Sequence, residues 1–366
     1  MSLHISKKNN SKSIFEKNTY LTFARYILSC QDSNGGIRWE PNSKLDPWDH
    51  IESAMGLDVL GFKEESKMAY EWLKKNQESD GSWLSSYYSS EENSLKETNF
   101  SSYIAVGLWH HYLNFSDKDF LEDFWPTLDT AIEFTLSGQT EHGDFFWAKD
   151  SGDWLDDSLK TGCSSIYMSL ICYKKIAKEL KQSDRVSQKQ INSLKDCLQK
   201  KPQRFDRNWE SKSRYSMDWY YPILAGVLDK KDSLKCLNER WEEFVVEGLG
   251  CKCVKEEPWV TAAESAELVL ALSRLNLDEK AKKLLQNTFN LIDEDGLLWT
   301  GYVFKDKKFW PVEKPSWTMA AAILAGNSLL TIAFQILSQK KLETLMFLWF
   351  KNFLMHYVLI LVLIYM

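Results

Sequence analysis

Two kinds of helical segment alternate along this chain from about residue 18 to residue 333, and that alternation narrows the folds open to it more than any other feature. The first kind is amphipathic and runs into a glycine-containing turn followed by an aromatic residue. Tyr20 to Cys30 leads into Gln31-Asp32-Ser33-Asn34-Gly35-Gly36-Ile37-Arg38-Trp39, and Glu64 to Asn76 leads into Gln77-Glu78-Ser79-Asp80-Gly81-Ser82-Trp83. Lys118 to Gly138 leads into Gln139-Thr140-Glu141-His142-Gly143-Asp144-Phe145-Phe146-Trp147, and Glu279 to Leu291 leads into Asp293-Glu294-Asp295-Gly296-Leu297-Leu298-Trp299. Weaker versions follow helices near 186–201 and 231–245. Glycine is expected to end each helix in the left-handed cap conformation, with the aromatic folding back over the helix end.

The second kind is more apolar and rich in small residues: Ile51 to Leu60, Ser101 to Tyr112, Cys163 to Ile176, Trp219 to Leu228, Ala262 to Leu275 and Thr318 to Leu330. A helix apolar on most of its faces is buried, so these read as inner helices and the first kind as outer ones. Units of this size bury their faces only against neighbouring units. Six hairpins without a polar capping repeat favour closure over an open solenoid, so the expected fold is an all-α (α/α)6 toroid spanning 17–333. A polar tail, 1–16, precedes it and an apolar one, 334–366, follows. No strand-like alternation of useful length appears.

The formal net charge of −6, without a concentrated basic patch, excludes nucleic acid as a partner. Of seven cysteines only Cys251 and Cys253 sit close together, with no histidine or second pair at zinc-like spacing, which points to reduced thiols in a cytoplasmic protein. The first 17 residues lack the apolar run of a signal peptide.

The segments entering the inner helices combine carboxylates with aromatics. They are Leu45-Asp46-Pro47-Trp48-Asp49-His50-Ile51-Glu52, Glu97-Thr98-Asn99-Phe100, Gly152-Asp153-Trp154-Leu155-Asp156-Asp157-Ser158 and Arg214-Tyr215-Ser216-Met217-Asp218-Trp219-Tyr220-Tyr221. Glu256-Glu257-Pro258-Trp259-Val260-Thr261 with Glu264, and Phe309-Trp310-Pro311-Val312-Glu313-Lys314-Pro315-Ser316-Trp317-Thr318, complete the set. Parallel inner helices bring all six to one mouth, with the glycine turns at the opposite end or on a distinct rim. Acidic caps suit a helix start, but capping does not account for the aromatics. The segments therefore read as the lining of a pocket for a small-molecule substrate.

Candidate catalytic carboxyls are Asp49, Asp157, Asp218, Glu264 and Glu313. Glu264 is placed one turn inside its helix, and His50 is placed to tune Asp49 and Glu52, which share a helix face. Candidate binding residues are Trp48, His50, Glu52, Asn99, Asp156, Tyr215, Trp219, Tyr220, Trp259, Trp310 and Trp317. Two chemistries use such a lining. A carboxylic acid among aromatic faces can protonate an alkene and stabilise the carbocation. Paired carboxyls can instead hydrolyse a glycosidic bond, with tryptophans stacking on the sugar.

The four glycine–aromatic turns resemble the Gln–Trp repeats of squalene cyclases, and with the hairpin periodicity the chain resembles the terpenoid cyclase and protein prenyltransferase toroids over roughly residues 17–333. Six-hairpin glycosidases share that architecture. The resemblance implies an isoprenoid-type substrate and carboxylate acid catalysis. The nearest match to the cyclase Asp-x-Asp-Asp acid motif is Asp153-Trp154-Leu155-Asp156-Asp157, one residue wider. No Asp-Asp-x-x-Asp occurs, and no histidine lies between His142 and His356 to complete a prenyltransferase zinc site, so no metal or cofactor is expected. The leading expectation is a cyclase-like or prenyltransferase-like enzyme. An inverting glycoside hydrolase and a non-catalytic glycan- or lipid-binding toroid are the alternatives. From Leu345 to Met366 the chain is apolar apart from Lys351, Asn352 and His356. That length suits a membrane anchor, a helix packed on the barrel or a frameshifted end.

Overall fold

The computed structural model describes residues 16–88 and 93–330. The apolar tail at 334–366, with the anchor expected there, lies outside the described residues, as do residues 1–15. Outer and inner helices alternate as α1 (Lys17–Ser29), α2 (Pro47–Val59), α3 (Lys63–Lys75) and α4 (Thr98–Phe115). They continue through α5 (Lys118–Asp123), α6 (Trp125–Ser137), α7 (Lys160–Leu180), α8 (Gln188–Lys200), α9 (Ser216–Leu224), α10 (Lys230–Phe244), α11 (Ala262–Arg274) and α12 (Asp278–Thr288), and end with α13 at residues 316–330. The stretch read as one helix from Lys118 is two. Pro126 near the start of α6 has no N–H to donate back into α5, so the chain breaks at Phe124.

Successive inner helices pack side by side, α2 on α4, α4 on α7, α7 on α9 and α9 on α11. The ring closes through α13. Its Ala320 lies so near Gly56 of α2 that a Cβ on Gly56 would sit 3.0 Å away, and its Ser328 hydroxyl lies 3.1 Å from Ser273 of α11. The entrance to α13 is also tied to the first hairpin, because Ser316 N donates to the Trp39 carbonyl (2.7 Å) and Lys314 N donates to Glu40 (2.7 Å). The small residues of the inner helices permit this approach. Trp72, Trp83, Tyr70, Phe124 and Phe145, all fully buried, fill the layer between the rings. Each such Phe contributes on the order of 2–3 kcal/mol by leaving water. The toroid is as expected from the sequence, and no described helix is long and apolar enough to cross a membrane.

The glycine turns do other work than the capping expected of them. The outer helices stop before the turn, at Cys30, Asn76 and Gly138, and the left-handed glycine comes five residues later. There it presses on the next outer helix. Gln77 bridges the two, its amide donating to the Gly81 carbonyl (3.0 Å) and to Thr127 of α6 (2.8 Å); Gln31 does the same toward Glu65, and Gln139 toward Gln190. Trp83 folds back as expected, its indole donating to the Leu73 carbonyl (2.8 Å). Because each turn leads directly into an inner helix, turns and acidic segments share one end of the ring. The turns form its outer rim and the acidic segments its mouth.

Short strands at this mouth were not legible in the sequence. Residues β1 (Lys96–Glu97), β2 (Ala148–Asp150) and β3 (Asp153–Trp154) form one antiparallel sheet. A second contains β4 (Val245–Val246), β5 (Gly250–Lys252), β6 (Trp259–Thr261), β7 (Gly301–Val303) and β8 (Lys308–Phe309). At two or three residues each, they are too short for an alternating pattern to register.

Candidate active site

The mouth is organised by helix register. In α2, Asp46 is the N-cap, accepting from Asp49 N (2.9 Å), which makes Asp49 the third helical residue and Glu52 the sixth. In α11, which begins at Ala262, Glu264 is likewise third and Glu267 sixth. Two inner helices therefore present a carboxyl in the first turn and another one turn deeper. Glu264 belongs to the first turn, not one turn inside it as the sequence spacing suggested. The Thr261 side chain makes no capping bond with the helix.

The upper carboxyls lie at the mouth, Asp49 half-buried and Glu264 8% exposed, while Glu52 and Glu267 are 2% and 1% exposed. Burial, then the neighbouring Asp46 and Glu52 charges, holds the Asp49 carboxyl well above the usual carboxylate range. Burial pushes Glu52 up to about 7, against the pull of the Trp48 indole, which donates to it at 3.3 Å. Burial and then the charge of Glu52 push Glu267 well up, and the Tyr220 hydroxyl donates to it. Glu97, at the start of α4, is raised to about 8 by burial and then by Asp46. In Asp49, Glu52, Glu97 and Glu267 burial outweighs the opposing pull of Lys44 on Asp49 and Glu97 and favours the protonated form, the state needed for proton donation.

Aromatics floor this cluster. Trp48 stacks on Tyr103 (centroids 4.8 Å apart) and meets Phe100 and Tyr221 edge-on. Tyr103 and Tyr221 are the sixth residues of α4 and α9, level with Glu52 and Glu267. Around the lip, Trp39 lies beside Trp317 (6.1 Å) and Trp147 meets Trp209 (5.5 Å). The Trp259 indole donates to the carbonyl of Trp310 (2.8 Å), a residue that is itself 50% exposed.

Several residues expected in the pocket are committed elsewhere. His50 has both ring nitrogens engaged by backbone, Ile37 N donating to Nδ1 and Nε2 donating to the Ala69 carbonyl, each at 2.9 Å. Burial lowers it to about 4, so it is a neutral staple between the helix rings and not a modulator of Asp49. Asp157 accepts from Ser158 N (2.7 Å), Arg207 N (3.0 Å) and Asn208 N (2.6 Å), which anchors the following loop. Asp156 points outward, 80% exposed, and pairs with Arg207. Trp219 faces the outer layer, stacked on Phe244 and donating to the Cys236 carbonyl (2.9 Å). Asp218 is third in α9, but it turns toward α7, accepting from Thr161 (3.3 Å), and burial raises it. Glu313 stands in the loop before α13 near Thr300 (3.4 Å), raised by burial and then by Glu40. Asn99 is buried in a crevice with Trp147 and Leu159, and Tyr215 sits at the start of α9, paired with Val254.

Asp49, Glu52, Glu264, Tyr220 and Trp48 are thus brought together; the sequence reading missed Glu267 and Tyr103, and placed Asp46, Glu97 and Tyr221 in the lining segments without singling them out. The signal that would have found Glu267 was its three-residue spacing from Glu264, the same as between Asp49 and Glu52. A surface hollow of about 320 Å3 lined by Asn34, Lys67 and Glu71 lies on the outer face, away from this cluster. Among the described residues no group of three or more His, Cys, Asp or Glu is arranged to hold a metal ion.

No family model matches the sequence. The MMP endo-(1,4)-3-O-methyl-alpha-D-mannosidase of Mycolicibacterium hassiacum is 38% identical over 307 residues, covering 84% of each chain. The chain belongs to the family of that mannosidase. Among solved structures, a wild-type glycosidase superposes with a TM-score of 0.69 at 12% identity, over 85% of this chain and 96% of that one. A D-mannose isomerase superposes at 0.65 and 10% identity, over 86% and 96%, so the toroid alone does not set the chemistry. Kinship with the mannosidase overturns the cyclase and prenyltransferase reading, and with it the isoprenoid substrate. The reason is physical. The Gln–Gly turns on which that reading rested clamp adjacent outer helices, an architectural duty that carries no information about the chemistry.

Proposed function

We propose that the chain is a glycoside hydrolase that cuts internal α-(1→4) bonds in chains of 3-O-methylated mannose, with inversion at the anomeric carbon. The kinship with the endo-mannosidase supports the substrate class, and the matched carboxyls of α2 and α11 support the residues. Asp49 is the proton donor: its carboxyl proton passes to the glycosidic oxygen as the C1–O bond breaks, leaving a carboxylate. Glu264 takes a proton from a water whose oxygen bonds to C1 from the opposite face. Asp49 and Glu264 stand on helices separated by α13, which suits the wider carboxyl spacing, roughly 6.5–9.5 Å, that leaves room for that water. The half-buried indoles of the lip, with the exposed Trp310, suit sugar rings whose faces carry methyl ethers.

The test is to incubate the protein with 3-O-methylated α-(1→4)-mannan and, separately, with polyprenyl diphosphates, and to size the products over time. The expected result is early appearance of mid-length oligosaccharides from the mannan and no turnover of the polyprenyl compounds. Release of single sugars alone would remove the internal cut from the proposal, and an untouched mannan would remove the reading.

A further inference from the structure

The proposed chemistry uses Asp49 and Glu264 and leaves two buried carboxyls beneath them without a role. Glu52 and Glu267 are almost inaccessible, yet among the described residues no cation pairs with either of them. Burying two unpaired carboxyls side by side is costly, and an apolar pair would pack there at less expense. Their surroundings are specific. Trp48 donates to Glu52 and Tyr220 donates to Glu267, so each carboxyl holds an aromatic of the floor.

We propose that Glu52 and Glu267 are positioning residues of the hydrolytic site, Glu52 acting through its charge beside Asp49 and Glu267 through its hydrogen bond to Tyr220. The inference rests on Asp49 being the proton donor. The groups that face the pair are Asp46 at the N-cap of α2 and Asp49 within it, Tyr103 from α4, Tyr220 and Tyr221 from α9, Cys251 from β5, and Glu264 from α11. Lys44 is the cation acting on Asp46 and Asp49. In this set Glu52 raises both Asp49 and Glu267. When Glu52 ionises, near neutrality, its charge disfavours a second charge on either neighbour. The proton therefore stays on Asp49, where it is transferred to the leaving oxygen, and on Glu267, whose neutral carboxyl remains an acceptor for Tyr220.

The two roles separate in pH–rate profiles of kcat/KM and kcat on methylated mannan. Glu52→Gln keeps the acceptor for Trp48 but removes the charge, so the alkaline limb moves down by about one pH unit with KM little changed. Glu267→Leu lowers kcat more than tenfold by freeing Tyr220, and Glu267→Gln, which still accepts a hydrogen bond, restores most of it. An alkaline limb for Glu52→Gln that superimposes on the wild type overturns the role of Glu52. A Glu267→Gln protein as impaired as Glu267→Leu, with an unchanged thermal transition, overturns that of Glu267. Asp49→Asn measured alongside separates the two levels: if it stays active the hydrolytic assignment itself fails, whereas if it is inactive and the Glu52→Gln profile is unmoved, only the present inference does.

Discussion

Asp49→Asn and Glu264→Gln each lower turnover on methylated mannan by about 10²–10⁴ while leaving the folded structure intact, the loss expected when one proton-transfer group is removed. The amides keep the size and one acceptor of the carboxyls they replace, and neither residue is a keystone of the fold. Asp49 receives its helix-capping contact through its backbone N–H, which the substitution does not touch. The same change at Asp157 behaves in the opposite way. Its carboxylate holds three backbone N–H groups of residues 158, 207 and 208, so Asp157→Asn weakens the loop and the stability before it affects any chemical step. Comparable rate losses at Asp157 and at Asp49, with equal stabilities, would mean that the site has been placed on the wrong wall.

Gly81→Ala lowers stability by about 3 kcal/mol, far more than a typical surface substitution. Gly81 has φ +88°, and a Cβ built there would stand 2.2 Å from the carbonyl oxygen of Thr130 in α6. An L-residue is strained at that φ, and the outer helix would have to move to admit the methyl group. Gln77→Ala removes the amide bridge to Gly81 and Thr127 and the bond accepted from the Thr130 hydroxyl (3.3 Å), and costs about 1 kcal/mol. Denaturant titration with a shared slope measures both. A loss at Gly81 no larger than that at Gln77 would show that the glycine is not what seats one hairpin on the next.

The repeat of apolar inner and amphipathic outer helices was legible because it is a pattern of period 3.6 sustained over long segments, and long periodic segments are what a sequence displays best. The acidic mouth was legible for the same reason: in a ring, every inner helix starts at the same end. What stayed hidden was direction. His50 and Trp219 lie within the same short segments as Trp48, Asp49 and Tyr220, but on a helix adjacent residues are about 100° apart, so a run of chemically attractive neighbours splits between pocket, core and outer layer. His50 beside Asp49 points outward to the backbone of α3, and Trp219 beside Tyr220 points to α10. Glu267 was missed for the converse reason. It lies past the segment that looked unusual, inside an alanine-rich helix, and only its register with Glu52 marks it. The chemistry misread from the turns has a similar origin. Gln31, Gln77 and Gln139 serve the architecture, and architecture is shared by proteins that do different things.

The central claim, that Asp49 and Glu264 work as acid and base across a single displacement, is tested most directly by the stereochemistry of the cut. Proton NMR of the wild-type protein acting on α-(1→4)-linked 3-O-methylmannan follows the anomeric signal of the new reducing end before it mutarotates. Inversion predicts that the β-anomer appears first and the α-anomer only later by mutarotation; an α-anomer formed first would contradict the account, since retention requires a covalent intermediate and closer carboxyls.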